Sequence, residues 1–210
     1  CAVGYHRAGF DVVGVDIAPQ PNYPYEFHQA DALEYLHDLM EHVYPLPFGA
    51  IHASPPCQTH SSITPNKADH VDLVAPTREL LIASGLPWVM ENVPGAPMAA
   101  SVILCGSSFG LGANGRQLRR HRLFECSFPI MAPPCIHRGQ ALGVYGTGGG
   151  GDYERPSGGS RGYKGTPEEY REAMGIDWAT RGEIAQAIPP AYTEHVGGYL
   201  LSAITAQVSA

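Results

Sequence analysis

A cysteine and a glutamate frame the chemistry open to this chain. Cys57 lies in Ser54-Pro55-Pro56-Cys57-Gln58, directly after the apolar run Ala50-Ile51-His52-Ala53, and Glu91 follows a second run, Trp88-Val89-Met90, in Glu91-Asn92-Val93. Both runs read as buried strands, so the two groups stand at strand exits, where an open α/β sheet collects its ligands. A thiolate adds to an electron-poor carbon while a carboxylic acid protonates a ring nitrogen, neutralising the charge that addition creates. Pyrimidine carbon-5 chemistry requires that pair. An isolated cysteine is more often a buried structural residue, and Glu91 alone reads as a strand-end acid. The position between Pro56 and Gln58 at a strand exit argues for a reactive thiol. Asn92 reads as a residue that orients the loop rather than one that reacts.

The elements that must hold these groups alternate along the chain. Val12 to Val15, Ala50 to Ala53, Trp88 to Met90, Val102 to Leu104 and Leu123 to Phe124 are short apolar or β-branched runs. Between them Asp31 to His42 carries Leu33, Leu36, Leu39 and Met40 at helical spacing, and Asp72 to Ser84 reads as a second helix. A last helix is expected from about Thr193 to Val208. Such alternation predicts an α/β fold with a mostly parallel sheet and helices on both faces.

At 210 residues, with 44% hydrophobic and 16% charged residues, the chain is long and apolar enough to build a core. No run approaches the roughly 20 apolar residues that span a bilayer. The five cysteines are odd in number and widely spaced, which argues against a disulfide framework and for a reducing cytoplasm. Net charge is −7, but unevenly spread: residues 1 to 115 hold three basic residues against eleven acids, and residues 116 to 164 hold eight against three, a net of +5. Arg116, Arg119, Arg120 and Arg122 read either as a solvated face or as contacts to a phosphate backbone; beside the Cys57 and Glu91 motifs the second reading is favoured. The stretch from Gly143 to Gly165 carries two glycine clusters, with Tyr145, Tyr153, Tyr163, Arg155, Arg161 and Lys164 among and around them, a flexible linker or a loop that meets nucleic acid. Cys126, Cys135 and His137 suggest a metal, yet their spacing fits no common zinc pattern and no fourth ligand stands out, so no metal is assigned. His60 and His70 are given no role.

Pro56-Cys57-Gln58 and Glu91-Asn92-Val93, in this order, resemble the catalytic motifs of the DNA (cytosine-5) methyltransferases. The resemblance extends to Asp11-Val12-Val13-Gly14-Val15-Asp16, to Gln29-Ala30-Asp31-Ala32-Leu33, to Arg120-His121-Arg122-Leu123-Phe124 and to Ile184-Ala185-Gln186-Ala187-Ile188-Pro189-Pro190. It implies a Rossmann-like fold that binds S-adenosylmethionine, with Asp16 and Ile17 at the ribose, Asp31 and Ala32 at the adenine, and Pro55 along the cofactor. It implies that Cys57 attacks carbon-6 of a cytosine flipped out of double-stranded DNA and that Glu91 serves nitrogen-3. Arg120 and Arg122 would meet phosphate and the flipped nucleotide, so Arg122→Ala is expected to weaken catalysis more than Arg78→Ala. Gln58, Ser61, Arg119, Arg138, Arg155 and Arg161 are the expected DNA contacts. The domain scheme is a catalytic and cofactor-binding part over 1–125, a short irregular target-recognition region over 126–178 and returning helices over 179–210.

Three departures stand out. Leu118, with Gln117 one position off, replaces the glutamine that precedes the family's arginine motif, and Ala185-Gln186 stands where Gly-Asn is usual. The chain begins at Cys1-Ala2-Val3-Gly4-Tyr5-His6-Arg7, which resembles the helix after the family's glycine-rich cofactor loop; the expectation is a fragment without its first strand. A monomer in the cytoplasm of a bacterium or phage-infected cell fits this reading. RNA as the substrate, a modified cofactor with another transferred group, and an inert DNA-binding relative remain the alternatives.

Overall fold

The structure, a computed structural model, describes residues 1–208 apart from 62, 63, 65, 145–150 and 155–159, and the side chains of these residues apart from 151–154, 160–162 and 208. In chain order its elements are α1 (Ala2–Arg7), β1 (Val13–Asp16), β2 (Glu26–Gln29), α2 (Ala32–His42), β3 (Ile51–Ala53), α3 (Val74–Ala83), β4 (Trp88–Asn92) and β5 (Val102–Leu104). There follow β6 (Gly112–Ala113), β7 (Arg116–Leu118), β8 (Arg122–Cys126), β9 (Ala141–Gly143), β10 (Gly151–Glu154), β11 (Ser160–Lys164), α4 (Pro167–Met174), α5 (Arg181–Gln186) and α6 (Pro190–Val208). The chain forms two compact units. One gathers Val12–Ile103, Arg122–Met131 and Gly198–Ala210, and the other Cys1–Asp11, Leu104–His121 and Ala132–Gly197.

In the first unit β1 and β2 pair in parallel, and a separate sheet has the order β3-β4-β8-β5. β3 and β4 are parallel, with α3 in the connection between them, whereas β8 runs antiparallel to β4. The expectation of a mostly parallel sheet is therefore corrected: the sheets are mixed. Parallel neighbours need a long crossover, usually helical, and between β4 and β8 the chain forms β5, β6 and β7 but no α-helix. The run Leu123-Phe124 carried no information on strand direction. β4 is buried at all five residues, and its apolar part packs with Val74 and Leu81 of α3, with Ile51, Ala53 and Met98 alongside.

α2 starts where Asp31 accepts hydrogen bonds from the N–H groups of Leu33 (2.9 Å) and Glu34 (3.1 Å), an N-cap of the common acidic kind. α3 is fixed to β8 by Arg78. Its Nε and Nη2 donate to the two carboxylate oxygens of Glu125 at 2.7 and 2.8 Å, Nη2 also reaches the Pro97 carbonyl, and the Ala99 N–H donates to Glu125 Oε2 at 2.7 Å.

The second unit holds a five-stranded sheet of order β10-β11-β9-β7-β6. β6 and β7 form a hairpin turned by Asn114 and Gly115, both at positive φ (49° and 72°), as a two-residue Asn-Gly hairpin requires. α4 and α5 each open on a capping box, Thr166 with Glu169 and Thr180 with Glu183. Their apolar residues Tyr170, Met174 and Ile184 pack in one cluster with Leu118 of β7 and Leu142 of β9.

Candidate active site

The ladder of β3 ends at Ala53, because Pro55 and Pro56 have no N–H to continue it. In the parallel register Ala53 faces Met90, so both strands leave the sheet at the same edge. That edge carries Cys57 on one side and Glu91 and Asn92 on the other. A single side chain stitches them: Asn92 Nδ2 donates to the Pro55 carbonyl at 3.0 Å, and Asn92 Oδ1 accepts the Val93 N–H at 2.8 Å. The loop-orienting role read for Asn92 has this geometry.

Beyond Cys57 the chain turns. The Cys57 carbonyl accepts the N–H groups of His60 and Ser61 at 3.0 and 2.8 Å, which presents Gln58 to solvent and leaves the Cys57 and Ser61 side chains half-buried. The far side of the turn is tied down by His60 Nε2, 3.0 Å from Asp72 Oδ1. That hydrogen bond, with one from the Val74 N–H, holds the Asp72 carboxyl below its ordinary range.

Glu91 is 5% exposed and lies 3.1 Å from Arg122 Nε. Glu91 sits opposite Phe124 across the β4–β8 pair, and alternation along a strand puts Arg122 on the same face as its diagonal neighbour. Arg122 thus gives this buried carboxyl group a polar partner. The pair explains why an arginine must stand at position 122, which the order of residues alone did not reveal.

Of the residues expected at a cofactor, Asp16, Ile17, Asp31 and Ala32 come together in the first unit, while Pro55 lies on the loop held by Asn92. Asp16 ends β1, where its two carboxylate oxygens accept the Ala18 N–H (2.8 Å) and the Gln20 side chain (3.2 Å). Ile17 beside it is 71% exposed, and its carbonyl accepts from Gln29 Nε2 at 3.2 Å. The Ala30 N–H reaches the Asp16 carbonyl, which brings Asp31 and Ala32 next to the β1 exit. Asp31 performs the capping task described above. A groove of about 570 Å³ between α2 and α3, lined by Leu33, His37, Pro76 and Leu80 among others, touches none of these groups.

Arg116, Arg119 and Arg120 lie in the second unit and serve its internal structure. Arg120 donates to the carbonyls of Val144 (3.3 Å) and Ala185 (2.8 Å), and its own carbonyl accepts the Tyr192 hydroxyl. Arg119 donates to the carbonyls of Arg138 and Gly139. Arg116 lies over the Tyr163 ring at 4.0 Å, so that ring face is occupied by a guanidinium. The Arg138 side chain is exposed and Arg161 lies on β11, while Arg155 falls outside the described residues. Sequence reasoning gave no role to Cys105 and His121, which cluster with Cys135 and His137; Cys126 stands apart from that cluster, on β8. Compared with protein-family models and with curated proteins, the chain matches none.

Proposed function

We propose that this protein is a cytosine-5 methyltransferase acting on DNA through a Cys57 adduct, on a Rossmann-like framework that binds S-adenosylmethionine. The observation that carries the reading is the shared edge of β3 and β4: a half-buried thiol and a buried, arginine-paired carboxylate, with Asn92 bonded to the loop that bears the thiol. The cofactor residues fit the group. Each carboxylate oxygen of Asp16 has one protein donor and a second lone pair for a ribose hydroxyl, and the exposed Ile17 side chain offers an apolar surface to a flat base. S-adenosylmethionine, when bound, supplies an electrophilic methyl group.

The Cys57 thiolate adds to carbon-6 of the flipped cytosine, and the electron pair moves toward nitrogen-3, where Glu91 provides the proton or hydrogen bond. Carbon-5 thereby becomes nucleophilic and would take the methyl group as its bond to the donor's sulfur breaks, leaving a neutral thioether. Transfer of the carbon-5 proton to a water base then expels the thiolate and restores the aromatic ring. Arg122 acts through Glu91, holding its carboxylate in place. Asn92 acts through the Pro55 carbonyl, fixing the loop on which the thiol rides.

The test is nucleoside mass spectrometry on DNA from methylation-deficient cells expressing the full open reading frame, beside a Cys57→Ser control. The expected result is 5-methylcytosine that disappears in the control. Unmodified cytosine from cells holding folded protein would overturn the reading, and RNA nucleosides and other cytosine adducts from the same cells would show whether the substrate or the transferred group differs.

A further inference from the structure

The second unit holds a cluster that the chemistry above does not use. Cys105 follows β5, His121 follows β7, and Cys135 and His137 lie on the segment before β9. Their sulfur and nitrogen atoms all fall within 4.8 Å of one another. Cys135 Sγ is 3.1 Å from His137 Nε2 and 3.4 Å from His121 Nε2, and Cys105 Sγ is 3.4 Å from His137 Nε2. A zinc ion with ordinary bond lengths to two sulfurs and two nitrogens has ligand-to-ligand edges of about 3.3–3.8 Å. Two of the three edges above fall in that range and the third is slightly shorter, and two thiols and two imidazoles from three separate stretches of chain converge within 4.8 Å, as one shared ion demands.

The surroundings fix these ligands. Gln117 grips the backbone on both sides of His137: Nε2 donates to the Ile136 carbonyl (3.3 Å) and Oε1 accepts the Arg138 N–H (2.6 Å). Arg119 holds the Arg138 and Gly139 carbonyls. Ser107 Oγ donates to Cys105 Sγ at 3.3 Å and lies 3.8 Å from Cys135 Sγ. The rings of His121 and His137 meet edge to face at 5.1 Å. Hydrogen bonds around the ligands are a regular part of metal sites and set the orientation in which the donors wait.

We propose that Cys105, His121, Cys135 and His137 form a structural zinc site that ties the irregular segment before β9 to the turn beginning at Cys105 and to the end of β7. Four protein ligands close the coordination shell, so the ion holds structure and does not activate water. Two thiolates and two imidazoles around Zn²⁺ give a neutral centre, suited to a half-covered position. The proposal stands apart from the methyl-transfer reading, since none of its residues belongs to the Cys57 site.

The experiment uses the full chain, expressed with zinc and purified under reducing conditions, with metal content measured by mass spectrometry. Cobalt(II) replacement then reports geometry through its visible absorption and its thiolate charge-transfer band. One zinc per chain, a tetrahedral cobalt spectrum, and loss of both in Cys135→Ser and in His137→Gln with circular dichroism unchanged are the expected results. Cys126→Ser, outside the cluster, should keep the metal. A reduced, folded wild-type chain that binds neither ion would overturn the proposal. So would a Cys135→Ser/His137→Gln double variant that still holds one zinc per chain.

Discussion

Glu91 and Arg78 show two ways a buried charge is used. Glu91 is held by one arginine at a strand exit, and its carboxyl is the group that the proposed chemistry asks to serve a ring nitrogen. Glu91→Gln keeps the size and a hydrogen bond but removes the acid, so kcat should fall by about 100- to 10,000-fold with the melting curve little changed, as steady-state assays and circular dichroism would read. Arg78 touches no reacting group. It meets both oxygens of Glu125 and the Pro97 carbonyl, and Arg78→Ala leaves Glu125 buried without that partner. The expected cost is about 3–5 kcal/mol of stability, read as a lower urea midpoint, with activity per folded molecule retained. Arg78 is therefore a poor neutral reference for Arg122; Arg7, paired with Glu194 on the surface, is the better one.

At the scale of elements, the turn after β5 leaves no room for a side chain at Gly106. A Cβ on Gly106 would stand 2.3 Å from the Leu118 carbonyl oxygen, so Gly106→Ala must push the turn away from β7. Overpacking of this kind costs about 1–3 kcal/mol, and the melting temperature should fall accordingly. Elements with strong periodicity were legible from the residues alone. Val102 to Leu104 is strand β5 as read, the helix expected from Asp31 begins at Ala32 with Asp31 as its cap, and Trp88 to Met90 extends only to Asn92. The start of α6 was placed three residues late because Pro190, well suited to a first helical turn, was assigned to the preceding motif. Short polar strands were not legible: β2 reads Glu-Phe-His-Gln, and β6 and β7 have two and three residues. Their hairpin did leave a signal in Asn114-Gly115, as α4 and α5 did in Thr166-x-x-Glu169 and Thr180-x-x-Glu183. Of the candidate site, the thiol and the acid were legible because each follows an apolar run. The pairing of Glu91 with Arg122, and of Cys135 with Cys105, joins residues about thirty apart, which spacing alone does not show.

For the molecule as a whole, acid should act through β3. Burial pushes the His52 imidazole down to about 3, so the folded chain keeps it neutral where the unfolded chain, near 6.5, takes a proton. The unfolded state then binds more protons between those values. Stability is complete above about pH 6.5 and falls by up to about 1.4 kcal/mol per pH unit toward pH 3 from this group. Urea midpoints measured from pH 7 to pH 4 should drop less steeply in His52→Gln than in the wild-type chain. The division into units has another consequence, in the order of synthesis. The chain passes from one unit to the other five times, after Asp11, Ile103, His121, Met131 and Gly197, and α6 contributes to both. Domains commonly fold in turn as they leave the ribosome. Here neither unit is complete until α6 has emerged, so a nascent chain stalled before Pro190 carries two unfinished cores at once, and it lacks Thr193, whose hydroxyl ties α6 to the Cys1 carbonyl ahead of α1.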